Sequence, residues 1–226
     1  DCSGTPESFQ HVIEGHHLMI KPCFQHHAKR FASIALMMLA ILLVGCMGDD
    51  PPDWHGTDIS GVMPKLEFDL IDSQGTRVSG DDYSGQVRML FFGFTSCPDV
   101  CPTALQKLSQ AVSGLSTENQ EEVLTLFVSV DPQRDTPERL AEYVNFFGDK
   151  IIGLTGNASD LRTLTQRYRT TFGHEEPDAE GDYAVTHSGA VYVFDREGNP
   201  RLLIRPEDLS AQSIRQDLVG LLEEDY

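Results

Sequence analysis

Apolar residues follow two different periods in the second half of the chain. Short continuous apolar runs predict buried strands at 87–94, 122–130 and 151–155. Apolar residues that recur at steps of three and four predict helices at 102–115, 137–147 and 159–168. Because strands and helices alternate, we expect parallel strands joined by helical crossovers, which is typical of an α/β domain.

Two hairpins flank this alternation. Residues 65–70 alternate polar and apolar side chains before a turn, which predicts a short hairpin ahead of the first buried strand. Residues 188–194 and 201–204 predict a second hairpin around the turn at 195–200. A final helix is expected to follow, with Ser210 as its N-cap.

The N-terminal residues do not have the pattern of a folded domain. Residues 1–18 lack a regular apolar period and precede Met19, so we interpret them as sequence upstream of the true start. Residues 19–45 have the layout of a secretory signal, in which basic residues precede an apolar run that is shorter than the roughly 20 residues of a membrane span. The run ends in LVGC at 43–46, which resembles a bacterial lipobox and predicts acylation of Cys46. An uncleaved anchor helix is the alternative.

Residues 46–60 are polar and rich in Pro, Gly and Asp, which favours a flexible tether. The folded domain is then predicted to span 61–226 and to lie on the periplasmic side of a bacterial membrane, held there by its lipid. Five histidines among the first 27 residues suggest a metal-binding tract. We prefer to interpret them as part of a processed segment, because they lie ahead of the cleavage signal.

Composition narrows the function classes. The chain carries 17 Lys and Arg against 35 Asp and Glu, which disfavours nucleic-acid binding, because contact with phosphates needs basic side chains. The simplest interpretation is that this negative charge keeps the protein soluble. The alternative is that it steers the protein toward a basic surface on a partner. Cys2 and Cys23 fall in or before the signal and Cys46 is the lipid candidate. Any disulfide within the mature domain must therefore join Cys97 and Cys101.

Cys97 and Cys101 lie where the first buried strand passes into a helix, and a proline follows each of them. The unpaired N–H groups of a helix N-terminus favour thiolate over thiol. Residues four apart lie on one face of a helix, so both sulfurs can bind one ion or form one disulfide. Two thiolates suit copper(I) or zinc, with a third ligand from elsewhere in the chain. The alternative is a pair of buried structural cysteines.

Asp131 and His187 are two further candidates. Asp131 stands at the carboxyl end of a predicted strand, where sheets of this class place functional groups, so it is a candidate for supporting a site residue or docking a partner. Alternatively, Asp131, Arg134 and Asp135 organise their loop through side-chain hydrogen bonds. A lone histidine such as His187 is more often structural than a metal ligand, and the residues alone leave both possibilities open.

Three motifs resemble the Sco/SenC family of thioredoxin-fold copper proteins. They are FTSCPDVCP at 94–102, SVDPQRDTP at 129–137 and DYAVTHS at 182–188, and the resemblance covers residues 62–222. It implies a thioredoxin-like, three-layer α/β/α fold with a central mixed sheet and an N-terminal hairpin.

The same resemblance implies a ligand set. Cys97, Cys101 and His187 are expected to bind copper(I), or copper(II) with an added ligand. Many members of the family have Asp directly before the histidine, where this chain has Thr186, so no carboxylate is expected at that place.

The function implied by the resemblance is that of a membrane-tethered copper chaperone. Its partner would be the copper-site subunit of cytochrome c oxidase or another extracytoplasmic copper protein. The alternative is a thiol–disulfide oxidoreductase, in which Cys97 attacks a partner disulfide and Cys101 resolves the mixed species. His187 discriminates between the two, because only copper binding needs it. Thiol peroxidase is disfavoured, since the peroxiredoxin pattern has Thr three residues before the cysteine and this chain has Phe94 there.

Overall fold

The computed structural model of the chain describes residues 53–176, 178, 183 and 185–224. The predicted upstream sequence at 1–18, the predicted signal at 19–45 and the lipidation candidate Cys46 lie outside the described residues. Within the described ranges, no helix combines the length and the apolar character that a membrane span requires.

The described residues form ten strands and five α-helices. The strands are β1 (Thr57–Asp58), β2 (Asp69–Asp72), β3 (Arg77–Ser79), β4 (Val87–Gly93), β5 (Val123–Ser129), β6 (Ile151–Thr155), β7 (Phe172–His174), β8 (Val185–His187), β9 (Val191–Phe194) and β10 (Pro200–Ile204). The helices are α1 (Val100–Ser113), α2 (Thr117–Glu121), α3 (Pro137–Asn145), α4 (Ala158–Arg167) and α5 (Ala211–Glu223). Every strand and helix predicted from periodicity has a counterpart, with ends that differ by a few residues.

Eight strands form one mixed sheet in the order β1-β10-β9-β4-β5-β6-β2-β3. The central strands β4, β5 and β6 are parallel, as their alternation with helices predicts, whereas the outer pairs are antiparallel. In the β4–β5 ladder, Gly93 lies opposite Ser129 at the carboxyl ends of both strands. The loops that follow these two strands therefore begin side by side at one edge of the sheet.

Helices cover both faces of the sheet. One buried cluster packs Leu105 of α1, Leu140 of α3 and Leu218 of α5 against the first face, and another packs Leu161 and Leu164 of α4 against the second. Apolar side chains of β4 alternate between the two clusters because successive residues of a strand point to opposite faces. The fold is the expected three-layer α/β/α arrangement with a mixed sheet and an early hairpin, β2–β3.

A second, two-stranded sheet was not predicted. Strands β7 and β8 pair antiparallel outside the main sheet, and Phe172 lies opposite His187 in their register. The sequence pattern predicted one strand at 188–194, whereas the structure has β8 ending at His187 and begins β9 at Val191. Three-residue strands that are only partly buried carry too little apolar period to be detected.

The segment predicted as a flexible tether at 46–60 is packed against the domain over its described part. Strand β1 pairs with β10, and Ile59 is buried. Asp217 of α5 accepts hydrogen bonds from the backbone N–H groups of His55 and Gly56, each at 2.9 Å. The tether prediction is therefore wrong from residue 54 onward. The polar composition of this segment favoured flexibility, but it could not reveal that Asp217, more than 150 residues later, binds the backbone here.

Candidate metal centre

The two cysteines occupy different environments at the start of α1. The helix begins at Val100 with Asp99 as N-cap, so Cys101 lies in its first turn and is fully buried, whereas Cys97 precedes the helix and is half-buried. Both thiols are free, and the backbone N–H of Cys101 donates to the sulfur of Cys97 at 3.4 Å. The helix N-terminus thus points a donor at the more accessible sulfur.

His187 brings the third donor atom to this pair. Its Nε2 lies 3.3 Å from the sulfur of Cys101, and one ligand atom each from Cys97, Cys101 and His187 all lie within 4.8 Å of one another. The other ring nitrogen, Nδ1, lies 2.9 Å from the carbonyl oxygen of Ser188 and donates to it. That bond leaves the lone pair on Nε2, which is the nitrogen that faces the sulfurs.

Burial favours the neutral forms of the two deepest groups. Loss of solvent raises the pKa of the Cys101 thiol, and the nearby Cys97 and Asp135 add to this rise. Loss of solvent also lowers the pKa of His187, although its hydrogen bond to the Ser188 carbonyl opposes the shift. For Cys101, burial therefore outweighs the preference for thiolate that its place at a helix N-terminus predicts.

Aromatic rings and one glycine shape the space around the three donors. The imidazole of His187 meets the rings of Phe91 and Phe94 edge-on, at centroid distances of 6.2 and 5.7 Å. A Cβ atom at Gly93 would lie 2.8 Å from the sulfur of Cys101 and 2.5 Å from Cε2 of Phe127. The absence of a side chain at the end of β4 is therefore what lets the buried sulfur sit beside the sheet.

Asp131 does not belong to this cluster. Its carboxylate is fully buried and accepts a hydrogen bond from Arg134. It also accepts a hydrogen bond from the hydroxyl of Tyr183, at 2.6 Å. The hydrogen bond to Arg134 agrees with the alternative in which these residues organise their own loop. The contact with Tyr183 was not predicted, because the two residues are 52 positions apart in the sequence.

Other groups near the cysteines were also missed by sequence reasoning. Arg139 of α3 donates to the hydroxyls of Thr95 and Ser96 just before Cys97, at 2.7 and 3.0 Å. Tyr143 of the same helix has a buried hydroxyl without a hydrogen-bond partner among the described residues. Burial raises the pKa of Tyr143, and both cysteines contribute to this rise. Tyr143 lies within the helix predicted at 137–147, but apolar periodicity gave no sign that this residue lies near the sulfurs.

An α/β domain that presents two cysteines at a helix N-terminus, with a histidine nitrogen against one of them, belongs to the class of thioredoxin-like proteins with a thiol or metal site. The sequence profile of the SCO1/SenC family matches residues 62–223. The chain belongs to the SCO1/SenC family.

Similar proteins agree with this membership. The chain is 38% identical over 132 residues to an SCO2-like protein of Rickettsia prowazekii, and the match covers 58% of this chain and 64% of that protein. The copper-bound crystal structure of Arabidopsis thaliana ScoI matches with a TM-score of 0.63 at 33% identity, over 70% of this chain and 97% of the other. The apo Sco1 solution structure from Thermus thermophilus matches with a TM-score of 0.67 at 34% identity, over 78% and 99% of the two chains.

Proposed function

We propose that this protein is a copper-binding metallochaperone that holds copper between Cys97, Cys101 and His187. The observation that carries the proposal is the convergence of two sulfurs and one imidazole nitrogen within 4.8 Å. Soft thiolates with one imidazole suit copper(I), and copper(II) would take an added ligand such as water. The copper-bound relative from Arabidopsis thaliana supports the choice of copper over zinc.

Copper is the cargo in this proposal, and the site has features that suit its transfer. Cys97 is half-buried and Cys101 is fully buried, so one ligand is accessible to an incoming partner while the other stays inside. Copper binding displaces the proton of the Cys101 thiol, so copper loading depends on pH. It also requires both thiols to be reduced, because a Cys97–Cys101 disulfide could not supply two thiolate ligands. Stepwise exchange would begin at Cys97, because that sulfur is the one a partner cysteine can reach.

We propose the dinuclear copper site of cytochrome c oxidase, or another extracytoplasmic copper protein, as the recipient. We also propose that the protein is lipid-anchored through Cys46 and faces the periplasm. These proposals rest on the three sequence motifs and on the lipobox-like sequence at 43–46. Mass analysis of protein extracted from membranes tests the anchor, because an unmodified N-terminus upstream of Cys46 would contradict it.

The test of copper binding uses the full chain with Cys2, Cys23 and Cys46 changed to Ser, so that Cys97 and Cys101 are the only thiols; we call it the two-thiol chain. The reduced two-thiol chain is titrated with copper(I) against a competing chelator, beside the same chain with His187→Ala. One copper per chain is expected, and its affinity should fall by more than about tenfold in the variant. Weak binding that is indifferent to His187 would exclude the copper assignment.

A thiol–disulfide oxidoreductase is the second candidate, and the unequal exposure of the two cysteines favours it. The Cys97 thiolate would attack a partner disulfide, forming a mixed disulfide and releasing one partner thiolate. Cys101 would then attack the Cys97 sulfur, closing the Cys97–Cys101 disulfide and releasing the second partner thiol. The partner gains two electrons, and an extracytoplasmic dithiol must restore the pair. His187→Ala should leave this activity intact, which separates it from copper binding.

A further inference from the structure

The loop that follows β5 contains two buried carboxylates, Asp131 and Asp135. Both side chains are fully shielded from solvent. Neither hydrogen-bonds to Cys97, Cys101 or His187 in the described part of the chain. Each carboxylate instead binds the segment that carries a different part of the metal centre.

Asp135 holds the cysteine side. One of its oxygens accepts the backbone N–H of Thr95 at 2.9 Å, and the other accepts the Thr95 hydroxyl at 2.6 Å. The first oxygen also accepts the hydroxyl of Ser129, the last residue of β5, at 2.6 Å. Thr95 is two residues before Cys97, so Asp135 fixes the backbone that delivers the exposed sulfur.

Asp131 holds the histidine side through Tyr183. The Tyr183 hydroxyl donates to Asp131 at 2.6 Å, and the guanidinium carbon of Arg134 lies 3.9 Å from the centroid of the Tyr183 ring. The ring of His174, on β7, meets the Tyr183 ring at 5.6 Å. Tyr183 is four residues before His187, so these contacts hold the chain just ahead of the strand that carries the imidazole.

The hairpin that carries His187 needs such support. Strands β7 and β8 pair over only three residues each, in a sheet separate from the main one. An isolated two-stranded hairpin is marginally stable in water, so side-chain contacts with the domain must decide where it rests. The carboxylate of Asp131 is suited to this, because it is fully buried just after the end of a central strand and its backbone N–H donates to the Ser129 hydroxyl at 3.1 Å.

We propose that the loop from Asp131 to Asp135 is the positioning element of the metal centre. Asp135 aligns the cysteine segment through Thr95, and Asp131 aligns the His187 hairpin through Tyr183. One short loop therefore sets the distance between the sulfurs and the imidazole. This inference rests on the proposed function only for its copper-binding test.

The histidine side is tested with Tyr183→Phe, which removes one hydroxyl, in the two-thiol chain with and without His187→Ala. Copper(I) affinity should fall by roughly tenfold when His187 is present and should not fall further when it is absent. Tyr192→Phe is the matched control, because its buried hydroxyl donates to the Tyr168 carbonyl at 3.0 Å, away from this loop. The control should leave the affinity unchanged.

The cysteine segment is tested with Thr95→Val, which keeps the shape of the side chain. It removes the hydroxyl that donates to Asp135 and accepts from Arg139, and it leaves the backbone N–H bond to Asp135 in place. Here the loss of copper(I) affinity should be the same with and without His187, because the change acts on the sulfurs. A Thr95→Val effect that disappears in the His187→Ala chain would overturn the division between the two carboxylates. The division would also be overturned if Tyr183→Phe did not change the copper(I) affinity, or if it lowered the affinity equally in the chains with and without His187.

A second readout does not depend on copper. Amide hydrogen exchange of β8 in the metal-free protein should be faster in Tyr183→Phe than in Tyr192→Phe, because the hydrogen bond from Tyr183 to Asp131 is lost and only the 3.9 Å approach of His174 to that carboxylate remains. Equal protection of β8 in the two variants would overturn the positioning role. If copper binding is indifferent to His187 while β8 exchanges faster, the proposed function fails and the positioning role stands.

Discussion

The Nε2 atom of His187 lies 3.3 Å from the sulfur of Cys101, across 86 residues of sequence. Burial raises the pKa of the thiol and lowers that of the imidazole, so the metal-free pair is neutral on both sides. A neutral imidazole already offers its lone pair, whereas the thiol must lose a proton to become a ligand. Within this pair, the proton that copper binding must displace is therefore the one on Cys101.

Alkaline pH is expected to destabilise the reduced, metal-free protein through Cys101. The thiol of an unfolded chain has a pKa of about 8.5, and burial raises the pKa of Cys101 in the folded protein. The protonated, buried thiol therefore adds its full contribution to the free energy of unfolding below that pH, and this contribution is lost as the pH rises above it. Denaturant unfolding from pH 7 to pH 10 should show a decline that is smaller in Cys101→Ser, by up to about 1.4 kcal/mol per pH unit above pH 8.5. Parallel declines in the two proteins would contradict this origin.

Gly93→Ala should damage the metal centre directly. The added Cβ would lie 2.8 Å from the Cys101 sulfur and 2.5 Å from Phe127, so the buried sulfur or the ring must move. We expect a loss of about 1–3 kcal/mol in the free energy of unfolding and a fall in copper(I) affinity. Both are measured in the two-thiol chain, by denaturant unfolding and by chelator competition.

Gly80→Ala is the matched control for that substitution. Its Cβ would lie 2.7 Å from the carbonyl oxygen of Leu66, a similar clash on a 3-10 helix that carries none of the three proposed ligands. It should destabilise the fold without changing copper affinity. If both alanine variants bind copper like the parent chain, the space at Gly93 is not what positions the sulfur.

The main sheet was predictable because its strands carry strong local signals. The continuous apolar run at 87–94 and the cap residue Ser210 needed no tertiary information. Ser210 does cap α5, by accepting from the N–H of Ser213 at 3.1 Å. Cys97 and Cys101 were identified for the same reason, since their spacing and their place before a helix are local features.

The position of His187 and the contacts of Asp131 could not be predicted in this way, because they depend on contacts between segments that are distant in the sequence. Nothing in the apolar pattern around His187 indicates a separate hairpin, and its approach to the sulfurs depends on packing between segments. Its selection as a ligand came from the resemblance to a family. The bond between Asp131 and Tyr183 was hidden for a similar reason, because a buried carboxylate cannot be matched to its donor by sequence alone.

Arg88 is a charged residue inside a buried strand, and its replacement should be costly. It is 1% exposed, and its guanidinium donates to the backbone carbonyls of Tyr83, Asp195 and Arg196. Arg88→Met removes this donor, although the Asp195 and Arg196 carbonyls keep the backbone N–H groups of Gly198 and Gly85. We therefore expect a loss of about 1–3 kcal/mol in the free energy of unfolding. Arg77→Met is the control, because the Arg77–Asp69 pair is exposed and its loss should have little effect. Equal stability of the two variants would contradict the role of Arg88.

Asp217 should determine whether the segment before β1 stays on the domain. Its carboxylate is buried on α5 and accepts the N–H groups of His55 and Gly56, while the Trp54 ring lies over Gly220, where an added Cβ would be 2.8 Å from it. Asp217→Ala removes the acceptor of two backbone N–H groups, so the free energy of unfolding should fall by about 1–3 kcal/mol.

Proteolysis should separate local release from general loss of stability. Cleavage within 53–60 is expected to accelerate in Asp217→Ala under native conditions, before the sheet unfolds, because His55 and Gly56 then lose their backbone hydrogen bonds to α5. Asp208→Ala removes an exposed acid close to the start of α5 and should leave both cleavage and stability unchanged. Copper(I) affinity should stay constant in both variants, because Asp217 contacts none of the three proposed ligands. Cleavage that accelerates equally in both variants would show that Asp217 does not hold the segment, and the flexible tether would then extend to β1.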